Sequence, residues 1–195
     1  MKKKILLLDV MSTLVYDPFF LDLPKAFGMS LQELMKNKNR TAWPAFERNE
    51  ITEQQFFAQY FGEAGPVDGK KMKDCMQSNY RYLEGIEALL EELKRRQIPM
   101  YALSNYPHWY KMIEDKLSLS TYLEWEFVSC KTGVRKPDPR AYLYPAEVLG
   151  VAPEHCIFVD DMGKNCKAAA AVGMTAIQFE GAEHLRASLI EQGVL

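Results

Sequence analysis

Short apolar runs alternate with stretches of helical periodicity along most of the chain. The first run, Ile5–Leu8, is aliphatic throughout and stops at the carboxylate of Asp9, which is typical of a buried parallel strand. Four later runs are also predicted as strands, at residues 100–103, 127–130, 157–159 and 176–179. Helices are predicted between them, at residues 85–94, 109–117 and 165–172, and a further helix ends near Gly150. Strands that alternate with helices predict an α/β fold with a parallel, doubly wound sheet.

A second pattern occupies residues 16–80. Apolar residues recur there at helical spacing, and no strand-like alternation appears. Thr52 and Gln55 have the spacing of a capping box at the start of one of these helices. A loop is predicted over residues 62–69, which contain three glycines and Pro66. We therefore predict that residues 16–80 form a small helical domain inserted into an α/β core of residues 1–15 and 81–195.

The composition is that of an ordinary soluble globular protein. Of the 195 residues, 48% are apolar and 26% are charged, and the formal net charge is -2. This balance gives no reason to expect a nucleic acid or a membrane surface as partner, and no apolar stretch reaches transmembrane length. The cysteines form no CxxC pair, so we expect reduced thiols rather than a metal site at Cys75, Cys130, Cys156 and Cys166.

Polar residues stand at the ends of three predicted strands. They are Asp9, Ser104 and the pair Asp160 and Asp161, and a loop lysine, Lys136, completes the set. In open α/β sheets, ligands bind at the carboxyl ends of the strands. Each of these residues alone has a structural reading, as a turn residue, a helix cap or a solvated lysine. Their order along one α/β chain favours a shared functional site.

These four motifs, in this order and spacing, resemble the haloacid dehalogenase-like (HAD) superfamily, most of whose members are Mg²⁺-dependent phosphohydrolases. The resemblance covers essentially the whole chain and implies a Rossmann-like core, with the helical insert as a C1-type cap over the active site. Further segments resemble the plant-type flavin mononucleotide (FMN) hydrolases of that superfamily; they include Asp9-Val10-Met11-x-Thr13, Asp17-Pro18-Phe19, Asn105-Tyr106-Pro107 and Arg135-Lys136-Pro137-Asp138-Pro139. FMN is then the implied substrate, with riboflavin and phosphate as products.

The resemblance implies a role for each site residue. Asp9 is the expected nucleophile, which would form an aspartyl-phosphate, and Lys136 is expected to balance charge on the nucleophile and the phosphoryl group. Hard oxygen ligands suit Mg²⁺, the expected cofactor, and the expected ligands are Asp9, Asp160, Asp161 and the main-chain carbonyl of Met11. Substrate binding is expected from Ser104, Asn105, Tyr106 and Trp43.

Residue 11 departs from the family pattern. Most phosphatases of the family carry a second aspartate two residues after the nucleophile, which protonates the leaving alkoxide, and here that position is Met11. Loss of a positioned acid lowers a rate by roughly 10² to 10⁴. The remaining candidate proton donors are Ser12, Asp161 acting through water, His108 and Glu47. Family dehalogenases also lack the second aspartate but work without metal, whereas the paired Asp160 and Asp161 favour a metal-dependent reaction.

Aromatic residues of the insert are candidates for a substrate-binding surface. They could stack on a flavin ring, or they could form the core of the cap and its seam with the main domain. This set comprises Phe19, Phe20, Trp43, Phe46, Tyr80 and Tyr82. Tyr106 and Trp109 follow Ser104 closely and are favoured over most of that set.

The predicted function is Mg²⁺-dependent hydrolysis of a small-molecule phosphate monoester, with FMN as the first substrate. Two alternatives stay open: a phosphatase for another small metabolite such as a sugar phosphate, and a catalytically weak binding or regulatory protein. We expect no nucleic-acid or membrane partner and a monomer or homodimer. The expected location is cytoplasmic, or the plastid stroma if a transit peptide has been omitted from the sequence.

Overall fold

The described residues form one parallel β-sheet between two hydrophobic clusters. The structure, a computed structural model, describes residues 4–62 and 65–195. Residues 1–3 of the predicted core segment, and residues 63 and 64 of the predicted loop, lie outside the described residues. The strands are β1 (Ile5–Leu8), β2 (Met100–Ser104), β3 (Glu124–Val128), β4 (Cys156–Asp160) and β5 (Thr175–Gln178), in the spatial order β3-β2-β1-β4-β5. The predicted α/β class and parallel sheet are confirmed.

Strand β1 lies at the centre of the sheet and is buried on both faces. Leu6 and Leu8 join one hydrophobic cluster, whereas Leu7 points to the opposite face and joins the second. β1 pairs in parallel with β2 on one side and β4 on the other, so that Leu8 lies opposite both Ala102 and Val159. The carboxyl ends of these three strands therefore meet at one edge of the sheet.

The connection from β1 to β2 contains the predicted helical insert, residues 16–80, which we call the helical segment. Its helices are α1 (Asp22–Ala26), α2 (Leu31–Asn37), α3 (Ala42–Glu47), α4 (Glu53–Gln59) and α5 (Gly69–Asn79). The capping box predicted at the start of α4 is confirmed, because Gln55 N–H donates to Thr52 Oγ1 (3.2 Å) and Thr52 N–H donates to Gln55 Oε1 (2.8 Å). One hydrophobic cluster joins Phe56 and Met72 of this segment to Leu8 of the sheet. The division into a core and a cap domain stays a prediction.

Six further helices complete the α/β part. They are α6 (Ile86–Arg95), α7 (Tyr110–Leu117), α8 (Ser129–Thr132), α9 (Arg140–Val148), α10 (Gly163–Ala171) and α11 (Ala182–Glu191). Helix α6 buries Ile86, Leu89 and Leu93 along one face, as its periodicity predicts. No helix among residues 4–62 and 65–195 is both long and apolar enough to cross a membrane.

Two elements differ from the predictions. The strand predicted at residues 127–130 is wrong at both ends, because β3 begins at Glu124 and Ser129 already belongs to α8. In β3, two exposed glutamates alternate with the buried Trp125 and Phe127, so the strand pattern extends beyond the apolar residues. Helix α11 was not predicted; it packs against α6, and Arg186 of α11 lies 3.1 Å from Glu92.

Candidate active site

The carboxyl ends of β1, β2 and β4 bring the predicted site residues to one edge of the sheet. Asp9 follows β1, and its N–H donates to the Val159 carbonyl of β4 at 2.9 Å. Ser104 is the last residue of β2, and Asp160 is the last residue of β4. Because the three strands are neighbours, residues far apart in sequence become adjacent in space.

Lys136 lies between two of these carboxylates. Its Nζ donates to Asp9 Oδ1 and to Asp160 Oδ2, each at 2.6 Å, and the residue is only 2% exposed. Asn105 fixes the main chain of Lys136: its Oδ1 accepts from Lys136 N–H (2.8 Å), and its Nδ2 donates to the Lys136 carbonyl (2.9 Å). Asn105 therefore positions the lysine, and its predicted contact with substrate stays a prediction.

Two further side chains hold the carboxylates in place. Asn165 Nδ2 donates to both Asp160 oxygens at 3.0 Å. Thr13 Oγ1 donates to Asp9 Oδ2 (3.3 Å) and accepts the N–H of Asp161 (3.2 Å). Neither Asn165 nor Thr13 was predicted to take part in the site. Their burial depends on tertiary packing, although Thr13 belongs to the motif that contains Asp9.

The buried charges shift one another's titration. The net pKa of the Asp9 carboxyl is raised to about 7. Burial raises this pKa most, the Lys136 ammonium lowers it, and the Asp160 carboxylate raises it. Burial lowers the pKa of Lys136, but the Asp9 and Asp160 carboxylates outweigh it, so the pKa lies above its usual value. The lysine is therefore a fixed positive charge at neutral pH.

The three aspartates fit a divalent cation. Asp9, Asp160 and Asp161 each offer a carboxylate oxygen, and these oxygens lie within 4.8 Å of one another. Lys136 supplies one positive charge against three carboxylates, so the cluster has an excess of negative charge. Hard oxygen donors of this kind suit Mg²⁺, as predicted. The contribution of the Met11 carbonyl stays a prediction.

Ser104 carries a buried hydroxyl at the carboxyl end of β2. Ser104 is 2% exposed, and its Oγ has no hydrogen-bond partner among the described residues. Buried hydroxyls are usually hydrogen-bonded. This Oγ, at the carboxyl end of the strand next to β1, therefore keeps a free donor.

A cavity of about 230 Å³ extends from the residues that follow Asp9 and Ser104 into the helical segment. Met11, Asn105 and Tyr106 line it on the side of the sheet. The predicted aromatic residues that also line it are Phe19, Phe20, Trp43 and Trp109. The other three predicted aromatics do not line the cavity. Phe46 stacks on Phe56, with ring centroids 4.7 Å apart. Tyr80 OH lies 2.7 Å from Tyr106 OH, and Tyr82 OH donates to the Leu117 carbonyl at 2.9 Å.

The candidate proton donors occupy different environments. Glu47 is buried and paired with Arg135, and His108 is exposed; neither is among the described residues that line the cavity. Ser12 and Asp161 are half-buried. Asp17 is a carboxyl group that the sequence analysis missed as a donor, and it lines the cavity together with Met11. Burial raises the pKa of Asp17 to about 6, although its bond from Phe19 N–H lowers it.

Comparison with known proteins gives the family. The family model described as haloacid dehalogenase-like hydrolase matches residues 28–173. The chloroplast protein flavin mononucleotide hydrolase 1 of Arabidopsis thaliana is 44% identical over 193 residues, which are 99% of this chain and 79% of that protein. The chain belongs to the haloacid dehalogenase-like hydrolases. The predicted resemblance, including that to the plant-type FMN hydrolases, and the predicted hydrolase class are confirmed.

A second related sequence and a solved structure also match this hydrolase. A sesquiterpene phosphatase of Aspergillus oryzae is 27% identical over 164 residues, which are 77% of this hydrolase and 79% of that protein. A HAD family enzyme from Bacteroides thetaiotaomicron, solved in complex with magnesium and inorganic phosphate, has a TM-score of 0.76 at 22% identity. That match covers 94% of this hydrolase and 99% of the solved chain, and it shows the shared fold.

Proposed function

We propose that this hydrolase removes the phosphate group of FMN in a Mg²⁺-dependent reaction, giving riboflavin and inorganic phosphate. One arrangement carries the proposal: Lys136 holds the buried Asp9 carboxylate at 2.6 Å, and Met11, two residues after Asp9, lines an aromatic cavity. The Arabidopsis relative supports FMN as the substrate, because it is named as an FMN hydrolase and matches almost the whole chain.

The chain's own residues suit attack on a phosphate monoester. The ester and its nucleophile are both anionic, so positive charge and donors must surround the transferred group. An Asp9 oxygen attacks phosphorus, the bond to the ester oxygen breaks, and that oxygen takes up a proton as the alcohol leaves. Lys136 balances the charge, and Ser104 Oγ donates to a phosphoryl oxygen. Water then hydrolyses the aspartyl-phosphate and restores Asp9.

The metal would be held by the aspartates and the predicted main-chain carbonyl. A bound Mg²⁺ would screen the phosphate charge, with Asp9, Asp160, Asp161 and the Met11 carbonyl as its protein ligands. Lys136 holds the Asp9 and Asp160 carboxylates, each at 2.6 Å. This part of the proposal is supported by the three carboxylate oxygens within 4.8 Å of one another.

The helical segment would act as the cap that selects the leaving group. Its Phe19, Phe20 and Trp43 line the cavity, together with Tyr106 from the sheet side. These aromatic faces favour a planar heterocycle over a sugar phosphate. A small-molecule phosphate monoester is thus the proposed partner. A monomer or homodimer, and a location in the cytoplasm or plastid stroma, stay predictions.

The test is phosphate release from a panel of monoesters that contains FMN, sugar phosphates and p-nitrophenyl phosphate, with Mg²⁺ and with EDTA. We expect phosphate release from FMN that needs Mg²⁺ and is lost in Asp9→Asn. The control is Asp115→Asn, which removes an exposed carboxyl on α7 and should keep the activity. Preference for a sugar phosphate would contradict FMN as the substrate. Turnover in EDTA would contradict the metal requirement, and tight ligand binding without turnover would indicate a regulatory protein.

A further inference from the structure

The part of the cavity formed by the helical segment contains polar groups that the phosphate chemistry does not use. Tyr60, just after α4, is 3% exposed and lines this cavity. Its hydroxyl is buried and has no hydrogen-bond partner among the residues that the structure describes. Burial raises the pKa of this phenol, so it is a neutral donor and acceptor. A buried hydroxyl without a partner destabilises a fold and therefore calls for an explanation.

A lysine lies beside this tyrosine. The N–H of Asn39 donates to the Tyr60 carbonyl at 2.7 Å, so the chain at Lys38 and Asn39 runs next to Tyr60. Lys38 also lines the cavity, and its Nζ lies 4.6 Å from the centre of the Phe19 ring. Within the described part of the chain, the ammonium forms no ion pair. It therefore keeps donors for a ligand.

Apart from Asp17, Asn39 and Asn105, the residues that line the cavity with these two donors are apolar or aromatic. Met72 and Met76 of α5 are buried and line the same cavity, as do Trp43 and Phe20. Methionine and aromatic side chains provide polarizable surfaces that suit a flat ring. A flat ligand seated there would meet Tyr60 and Lys38 through polar atoms at its edge.

We propose that the Tyr60 hydroxyl and the Lys38 ammonium bind the carbonyl-bearing edge of a planar heterocyclic leaving group and so set specificity for flavin phosphate over small esters. The inference rests on the proposed function. The pyrimidine-like end of a flavin carries two carbonyl oxygens, which accept hydrogen bonds from a phenol and an ammonium. A binding site with buried donors discriminates strongly against ligands that lack the matching acceptors.

The test compares Tyr60→Phe and Lys38→Met with the unaltered protein. For each we would measure KM and kcat with FMN, the Kd of riboflavin by fluorescence quenching, kcat/KM with p-nitrophenyl phosphate, and Tm. Tyr60→Phe should raise the riboflavin Kd and the FMN KM by about 10-fold, and Lys38→Met by about 10- to 100-fold. Turnover of p-nitrophenyl phosphate should stay unchanged. The Tm of Tyr60→Phe should equal or exceed that of the unaltered protein, because an unpartnered buried hydroxyl is removed.

Tyr82→Phe is the matched control. Its hydroxyl has a partner, the Leu117 carbonyl at 2.9 Å, and lies outside the cavity lining, so its loss should lower Tm and leave riboflavin binding unchanged. Selective FMN hydrolysis with equal riboflavin affinity in Tyr60→Phe and Lys38→Met would overturn this inference and leave the proposed function standing. Failure of the unaltered protein to hydrolyse FMN would overturn both.

Discussion

Lys136 Nζ lies 2.6 Å from Asp9 Oδ1, although 127 residues separate the two in sequence. The same ammonium bonds to Asp160, so one positive charge stabilises two buried carboxylates. Removing one partner of a buried ion pair leaves a charge without compensation, which costs about 3–5 kcal/mol. We therefore expect the lysine to be needed both for the fold around Asp9 and for the proposed reaction.

We expect Lys136→Met to abolish phosphate release and to lower the free energy of unfolding in EDTA by about 3 kcal/mol. Mg²⁺ should recover part of that loss, because the three aspartates remain. Urea denaturation with EDTA and with Mg²⁺ would measure both effects. Lys167→Met, at an exposed position of α10, is the control and should change neither. Equal stability of Lys136→Met and the unaltered protein in EDTA would contradict the prediction.

Ser104→Ala should separate stability from activity. The substitution removes a buried hydroxyl that has no partner among the described residues, so we expect the free energy of unfolding to rise by about 1 kcal/mol. We expect kcat to fall by about 10²-fold, because a donor to the phosphoryl group is lost. In the control Ser129→Ala, an Oγ that donates to the Glu47 carbonyl at 2.6 Å is removed, and stability should fall. An unchanged kcat in Ser104→Ala would refute its role.

Asp17 is the carboxylic acid among the described cavity-lining residues, and we expect it to supply the proton that Met11 cannot. Its pKa of about 6 keeps a protonated fraction near neutral pH. Asp17→Asn should lower kcat with FMN by about 10²-fold or more, because an alkoxide leaves poorly without a proton. Turnover of p-nitrophenyl phosphate should change little, because nitrophenolate leaves without one. Equal losses with both substrates would instead indicate a role in folding or binding.

We expect the buried Glu47 carboxyl to make the free energy of unfolding depend on pH. Burial raises the pKa of its carboxyl from 4.5 to about 7, although the Arg135 guanidinium lowers it. The folded protein therefore holds this proton more tightly than the unfolded chain, so stability from this group is greatest at low pH and is lost as the pH rises through about 7.

Replacing Glu47 with Gln removes this titration. We expect the free energy of unfolding of Glu47→Gln, relative to the unaltered protein, to increase by up to about 3 kcal/mol between pH 4.5 and pH 8. Urea denaturation across that range would measure it. The control is Glu50→Gln, at an exposed site bonded to Arg48. Its free energy of unfolding, relative to the unaltered protein, should not increase over this pH range. Parallel pH curves for Glu47→Gln and the unaltered protein would contradict the raised pKa.

The sequence was sufficient to predict the parallel sheet and the convergence of most candidate site residues at one edge of it. Buried parallel strands are continuously apolar, so β1, β2 and β4 stand out, and the residues at their carboxyl ends must converge. The edge strand β3 alternates exposed and buried residues, and its boundaries were therefore misplaced. Helix α11 was missed altogether.

The specific environment of several side chains could not be predicted from one sequence. Glu47 meets Arg135 across 88 residues, and the buried Tyr60 hydroxyl lacks a hydrogen-bond partner among the described residues only because the helical segment packs around a cavity. Likewise, the local sequence does not distinguish Asp17 from a turn residue. Only the folded structure shows that Asp17 and Met11 line the same cavity. Burial and electrostatic environment are properties of the assembled fold, whereas strand and helix patterns are local.

The central position of β1 also determines when the site around Asp9 can assemble during synthesis. This strand is synthesised first, but its neighbours β2 and β4 begin only at Met100 and Cys156. Until the ribosome has delivered them, β1 has open edges that invite pairing with other chains, and Asp9 has neither its lysine nor its acidic neighbours. The proposed active site therefore assembles late in biogenesis, and we expect a nascent chain that ends before Cys156 to be inactive.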